Sequence, residues 1–189
     1  PDIASSVPDQ EARSEIFVEL VRLAFACDMT RTVTLAGSGQ LTGAGMRHRL
    51  WQSVGGLHGE VQHSAGDQSL LDAANRSFVE IYASLLAGLK GTSEGEGTLL
   101  DHAAGVFLME GGKGLGPRSR SGDGGGDSNH SCDNMIMMVG GRAGGLVPKG
   151  HIDLTGDDRH PAEVLNAAMR AMGSSATLGE VTRVVDELF

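Results

Sequence analysis

Residues 103 to 112 read AAGVFLMEGG, and the fold turns on how this stretch is interpreted. Val106, Phe107, Leu108 and Met109 form a short continuous apolar run, the pattern of a strand buried on both faces in a parallel sheet. The run stops at the carboxylate of Glu110 and two glycines. A second run of the same kind, MIMMVGG, begins at Met135. Between them residues 111–133 read GGKGLGPRSRSGDGGGDSNHSCD, a glycine-, serine- and charge-rich connection of a length that compact domains keep chiefly for function.

Upstream, Leu71, Ala74, Phe78, Ile81 or Tyr82, Leu85 and Leu89 advance by three or four. This predicts a helix from Asp67 to Lys90, with Gly91 as a left-handed terminator and TSEGEG as the turn into the first apolar run. Ser6, Pro8 and Asp9 start an earlier helix over about 8–27, carried by Ile16, Leu20, Leu23 and Ala24. TRTVTLAG then alternates as a strand ending near Gly37. Residues 38–66 show no period. Downstream, Pro161 sits at the first position of a helix running through Val164, Leu165, Ala168 and Met172 to Gly173. TLGE, residues 177–180, has the form of a capping box for a last helix carrying Val181, Val184, Val185 and Leu188. Helix, strand, helix, strand, strand and helix in that order predict an α/β fold: a layered, mostly parallel sheet flanked by helices, with long Gly-rich loops. The organisation is a single α/β domain over 1–189 or the C-terminal portion of a larger one. Its helix-rich part spans 8–95 and its strand-loop-strand-helix part 96–189.

Composition narrows the classes. The chain of 189 residues carries 29 glycines but only five Phe, one Trp and one Tyr, so irregular connections are expected. A formal charge of -9 disfavours nucleic acid and anionic lipid surfaces, which require a basic footprint. No apolar run has the length of a membrane span. Cys27 and Cys132 are too few and too distant for a disulfide framework, and without C-x-x-C-H there is no c-type haem attachment. They form one bridge or stand as two independent buried small residues, the second being favoured. Neither G-x-x-x-x-G-K-[ST] nor G-x-G-x-x-G occurs, which disfavours a nucleotide cofactor. No G-x-S-x-G elbow supplies a hydrolase nucleophile.

Ligands collect at the carboxyl ends of strands in open α/β sheets, and Glu110 stands at such an end. It is a ligand or acid/base group, or an ordinary strand-end charge. His130 precedes the second apolar run, among Asp127, Asn129 and Asp133. His151 follows another glycine-rich connection. One carboxylate with two imidazoles suits zinc, manganese or iron better than calcium. Glu60 and His63 have the i, i+3 spacing of Glu-x-x-His metal sites, whereas His58 and His63, five apart, do not share a helix face. His48, His102 and His160 have no supporting neighbours. Lys113, Arg118 and Arg120 bind an anion or are solvated loop charges.

Four segments taken together, FACDMTRTVTL (25–35), GLHGEVQHSAG (56–66), LLAGLKGTSEGEGTLLDHAAGVFLMEGG (85–112) and NHSCDNMIMMVGGRAGGLVPKGHID (129–153), resemble in order the C-terminal half of a secreted bacterial family. It is the domain-of-unknown-function family numbered fifteen fifty-two, sister to family fifteen-oh-one. The resemblance covers about residues 17–173. It implies an alkaline-phosphatase- or sulfatase-like core that holds divalent metals, with Glu110 as the acidic ligand after the central strand and His130 and His151 as the later histidines. It further implies Asp28 and Arg31 as residues that fix the sheet edge; His58, His63 and Asp127 are secondary candidates read from the residues themselves. A periplasmic or extracellular location is implied, with metal-assisted ester hydrolysis only if an N-terminal half is present. An extracellular structural module that packs against other copies or subunits is the alternative. Met109 stands where the family has Ser, and the family's aspartate-histidine ligand pair is missing.

Overall fold

The computed structural model describes residues 10–36, 68–109, 135–146, 150–154 and 156–189. The chain divides into two compact units, Pro1–Glu94 and Gly95–Phe189. Helix and strand are both present, so the fold is mixed.

In the first unit, helix α1 spans Gln10–Ala26 and helix α2 spans Gln68–Lys90, and the two pack against each other. Both helices form where the spacing predicts them, but Ile16, Leu20 and Leu23 of the stripe predicted for α1 are exposed. Ser14 and Val21 of α1, with Ala74, Ser77 and Leu89 of α2, form the shared seam. Small residues dominate it, which lets the backbones approach closely, and the Ser77 hydroxyl is satisfied by donating to the Ala74 carbonyl at 3.0 Å. The aliphatic stem of Arg22 lies beside Gly88. Its guanidinium donates to the Thr92 hydroxyl at 3.3 Å and pairs with Glu19, which lowers the Glu19 pKa through that hydrogen bond. Arg22 thereby reaches from one helix to the end of the other.

Asp28 ends α1. Its N–H donates to the Phe25 carbonyl at 3.0 Å and the Met29 N–H to the Ala24 carbonyl at 2.8 Å, the paired bonds of a Schellman motif. Asp28 takes the left-handed position with φ 51°. Glycine adopts that conformation freely and a β-branched residue does not. Asp28→Val should therefore lower the stability of the helix by about 1–2 kcal/mol while Asp28→Gly does not, as thermal unfolding followed by circular dichroism at 222 nm would show. Equal losses in both variants would assign the effect to the carboxylate instead.

Two expectations fail in this unit. Residues 30–36 form no strand: the Thr30 hydroxyl donates to the Thr32 carbonyl at 3.0 Å and accepts from the Thr32 N–H, a local closure that competes with ladder formation. Gly91 is not left-handed. Its N–H continues the helical pattern to Ala87 at 2.9 Å, and the chain reverses at Gly95, where φ is 56°. Two-residue strands, β1 (Ser93–Glu94) and β2 (Gly97–Thr98), flank that turn.

The second unit opens with a 3-10 turn over Leu99–His102. The Thr98 N–H and hydroxyl both donate to the Asp101 carboxylate, at 2.9 and 2.7 Å. Those two bonds, the hydroxyl's first, lower the Asp101 pKa. Leu99 is buried beneath the turn. Strand β3 (Ala104–Leu108) follows, then β4 (Met137–Gly141). Both apolar runs are thus strands, but they pair antiparallel, with Ala104 opposite Gly141 and Leu108 opposite Met137. The buried parallel sheet is not found among the described residues: every residue of the pair is partly accessible and Leu108 is exposed. Alternate packing on one face, as in a two-stranded antiparallel pair, suffices for these runs.

Helix α3 spans Pro161–Ala171 and packs on β3 and on the 3-10 turn Ala143–Gly145. Pro161 holds the first helical position as predicted, and His160 is the N-cap, its Nδ1 accepting from the Ala162 N–H at 3.1 Å. The core of the unit consists of Leu99, Ala143, Leu146, Ala167, Ala171 and Val185. The last predicted helix does not form. Residues 181–185 are neither helix nor strand, and only Asp186–Leu188 closes a 3-10 turn. Thr177, Val181, Thr182, Val184 and Val185 are β-branched and resist helix formation. The buried Asn166 holds the backbone instead, donating to the Val181 and Arg183 carbonyls at 2.9 and 3.1 Å and accepting from the Leu178 N–H at 2.9 Å. No described helix is long and apolar enough to cross a membrane.

Candidate functional site

The ends of β3 and β4 organise the candidate metal residues. β3 finishes at Leu108, two residues ahead of Glu110, and Leu108 lies opposite Met137 at the start of β4. The connection that holds Asp127 and His130 therefore begins and ends at one end of the strand pair. His151 follows β4 from the other end, where Gly141 meets Ala104, about 14 Å away at 3.4 Å per residue. Glu110, Asp127 and His130 lie outside the described residues, as do His58, His63 and Cys132. His151 is described and exposed. Among the described residues no group of three or more His, Cys, Asp or Glu side chains could hold a metal ion.

Asp28 and Arg31 are brought together, their side chains 3.1 Å apart, but as a pair 72% and 82% exposed. They lie at the end of a helix, and no strand lies beside them among the described residues. Cys27 is exposed rather than buried.

Sequence reasoning missed the most concentrated polar constellation of the second unit. Glu163, in the first turn of α3, is fully buried. Arg159 Nη1 donates to its Oε2 at 3.0 Å, Arg183 Nη2 meets its Oε1 at 2.7 Å, and the His160 N–H donates to Oε1 at 3.1 Å. Burial pushes the carboxyl's pKa up. The Arg159 hydrogen bond, the His160 N–H and the Arg183 charge together outweigh it, so the net displacement is downward. Arg159 extends the network to Glu187 at 3.1 Å and to the Val184 carbonyl at 3.3 Å. The Glu163 pairing with the N-cap three residues earlier is legible in the sequence as a helix start. Its arginine partners were not, because Arg183 lies twenty residues away and meets it only through the fold.

Beside this network an open groove of about 460 Å³ runs along the end of α3, lined by Asn166, Arg170, Ser174, Thr177, Thr182 and Val184. Arg170 pairs with Asp186 at 3.4 Å and stacks over the Phe189 ring, 5.2 Å from its centroid. No protein family, curated protein or solved structure matches this chain.

Proposed function

We propose that this chain is a divalent-metal-binding α/β domain of the alkaline phosphatase and sulfatase type, with the layered sheet of that class. Glu110 and His130 are the central ligands of the proposed site, His151 is the third, and Asp127 supplies a further oxygen. The observation that carries the reading is the antiparallel register of β3 and β4: the chain leaves β3 toward Glu110 and returns from His130 into β4 at the same end. The donor set of one carboxylate and two imidazoles favours zinc, manganese or iron. A metal held there would polarise an ester oxygen and lower the pKa of a bound water, the chemistry of phosphate or sulfate ester hydrolysis. The domain completes such a site with a second half and does not turn over alone.

Metal content of the purified chain, measured by inductively coupled plasma mass spectrometry, tests the site. Glu110→Ala and His130→Ala should each reduce bound metal by at least about tenfold, the usual consequence of removing a ligand or its close support. Undiminished metal in both variants, or no metal in the parent after incubation with zinc or manganese, ends the proposal.

One observation favours a second reading, an assembly module in an extracellular complex. Ile16, Phe17, Leu20 and Leu23 of α1 are 42–54% exposed. Isolated exposed leucines are ordinary, but a row at helical spacing marks a surface that another chain can cover. Sedimentation of the parent and of a Leu20→Glu, Leu23→Glu variant distinguishes the two readings, since an assembly module loses its association and a metal domain loses nothing.

A further inference from the structure

Besides guanidinium bonds from Arg159 to the Val184 carbonyl and from Arg183 to the Asp158 carbonyl, the C-terminal segment Leu178–Phe189 is attached to the rest of its unit by two kinds of bond. The first kind is neutral: the Asn166 amide grips the backbone at Leu178, Val181 and Arg183, and Val185 is buried. The second kind is ionic and crosses from the segment to the body three times. Arg183 reaches the buried Glu163, Glu187 reaches Arg159, and Asp186 reaches Arg170. Residues 173–180, which lead into the segment and form its first three residues, are exposed, with positive φ at Gly173 (81°) and Gly179 (58°).

We infer that Leu178–Phe189 is an acid-released strap, latched to α3 by the carboxylate of Glu163 between two guanidinium groups.

The geometry makes this latch different from ordinary surface pairs. Glu163 is fully enclosed, and the guanidinium groups of Arg159 and Arg183 converge on its two oxygens from the body and from the strap. The remaining charged groups around it are few. His160 contributes its backbone N–H while its imidazole caps α3, and Glu187 and Asp157 face Arg159. With Glu163 ionised, one buried negative charge holds two cations together. Once it takes up a proton, two like charges converge on a neutral group. Arg183 belongs to the strap, so repulsion acts across the boundary that separates strap from body. The depressed pKa of Glu163 sets the direction. The latch is complete above the ordinary glutamate value of 4.5 and opens as the pH falls below it. Apart from the His160 N–H bond to Glu163 at its start, helix α3, like the β3–β4 ladder, rests on backbone hydrogen bonds, which do not titrate in that range. Release uncovers Asn166 and the seat of Val185.

Hydrogen-exchange mass spectrometry on the full chain tests this, with protection factors compared at pH 7 and pH 4. Bonded amides of the strap, among them Leu178, Val181 and Leu188, should lose protection by about two- to fourfold between the two pH values, the most that one carboxyl with an ordinary value of 4.5 can supply at pH 4, while α3 keeps its own. Glu163→Gln should loosen the strap at pH 7 and flatten its pH dependence. Should that variant not fold, Glu187→Gln, at a partly exposed position, should loosen the strap at pH 7 by a smaller factor. Loss of protection in strap and α3 together at one pH would overturn the inference. A strap that stays protected at pH 4, or whose protection Glu187→Gln leaves unchanged, would do so equally.

Discussion

A Gly144→Ala chain is expected to lose about 3 kcal/mol or more from the second unit, enough to bring a unit of this size close to unfolding at 37 °C. Gly144 lies in the 3-10 turn after β4 with φ 59°, a left-handed conformation. A Cβ there would stand 2.0 Å from the Ala171 carbonyl oxygen and 2.6 Å from its carbon and Cα. Those atoms are the end of α3, not the tip of a flexible side chain. Relief requires moving the helix away from the turn, and that movement separates Ala143 and Leu146 from Ala167 and Ala171, the main part of a small core. Gly141→Ala should be as severe: φ is 106° and the added atom would lie 2.0 Å from the Ala103 carbonyl oxygen, across the strand pair. Gly145→Ala is the internal comparison, because it shares a positive φ of 89° but has open space around the added atom. It should cost only the backbone strain, about 1 kcal/mol. Urea unfolding of the three variants measures the difference, and similar midpoints for Gly144→Ala and Gly145→Ala would show that the close approach to Ala171 does not exist in solution.

These glycines also show where the sequence could be read and where it could not. GGRAGG after an apolar run signals a turn, but nothing local distinguishes Gly144, which touches a helix end some twenty-five residues later, from Gly145, which touches nothing. The helices were legible because their evidence is periodic and local: Ala74 and Leu89 on one face, Pro161 at a helix start. The apolar runs 104–108 and 137–141 were legible as strands, yet their direction was not, since an uninterrupted apolar run says that a strand is buried and not what lies beside it. The last segment misled because TLGE satisfies the pattern of a capping box. The β-branched residues that follow, and the amide of Asn166 waiting in another element, decide the outcome against a helix.

The candidate metal residues illustrate a different limit. Residue types and glycine-rich spacing single out Glu110, His130 and His151, but convergence depends on connections whose course no local pattern encodes. Strand direction supplies part of it. In a parallel sheet the chain would have to cross over between the runs; in the antiparallel pair Glu110 and the return from His130 share one end, and His151 starts from the other. The register therefore shows that the connection between the two runs leaves and returns at one end of the strand pair, which residue types alone did not contain.

Replacing Glu163 by leucine is expected to cost about 3–5 kcal/mol, the range found when one partner of a buried ionic group is removed. The carboxylate does three things at once. It neutralises Arg159 and Arg183, it accepts the His160 N–H at the start of α3, and it fills the space beneath the C-terminal segment. Leucine restores the volume and none of the rest, so the two guanidinium groups converge on an apolar side chain and the helix loses an N-terminal bond. The arginines are only partly buried, 26% and 57% accessible, so solvent can take up some of their charge and the loss should fall toward the lower end. A triple variant, Glu163→Leu with Arg159→Met and Arg183→Leu, should recover much of it, because the cost lies in the abandoned cations more than in the missing pair. The pH dependence separates charge from shape. A carboxyl whose folded pKa is depressed stabilises fully above its ordinary value of 4.5 and progressively less below it. The stability gap between the parent chain and Glu163→Leu should then be constant from pH 7 to about 5 and narrow as the pH drops further. A gap that persists unchanged at pH 3.5 would mean that Glu163 acts through packing, and the ionic account of how this segment is held would have to be abandoned.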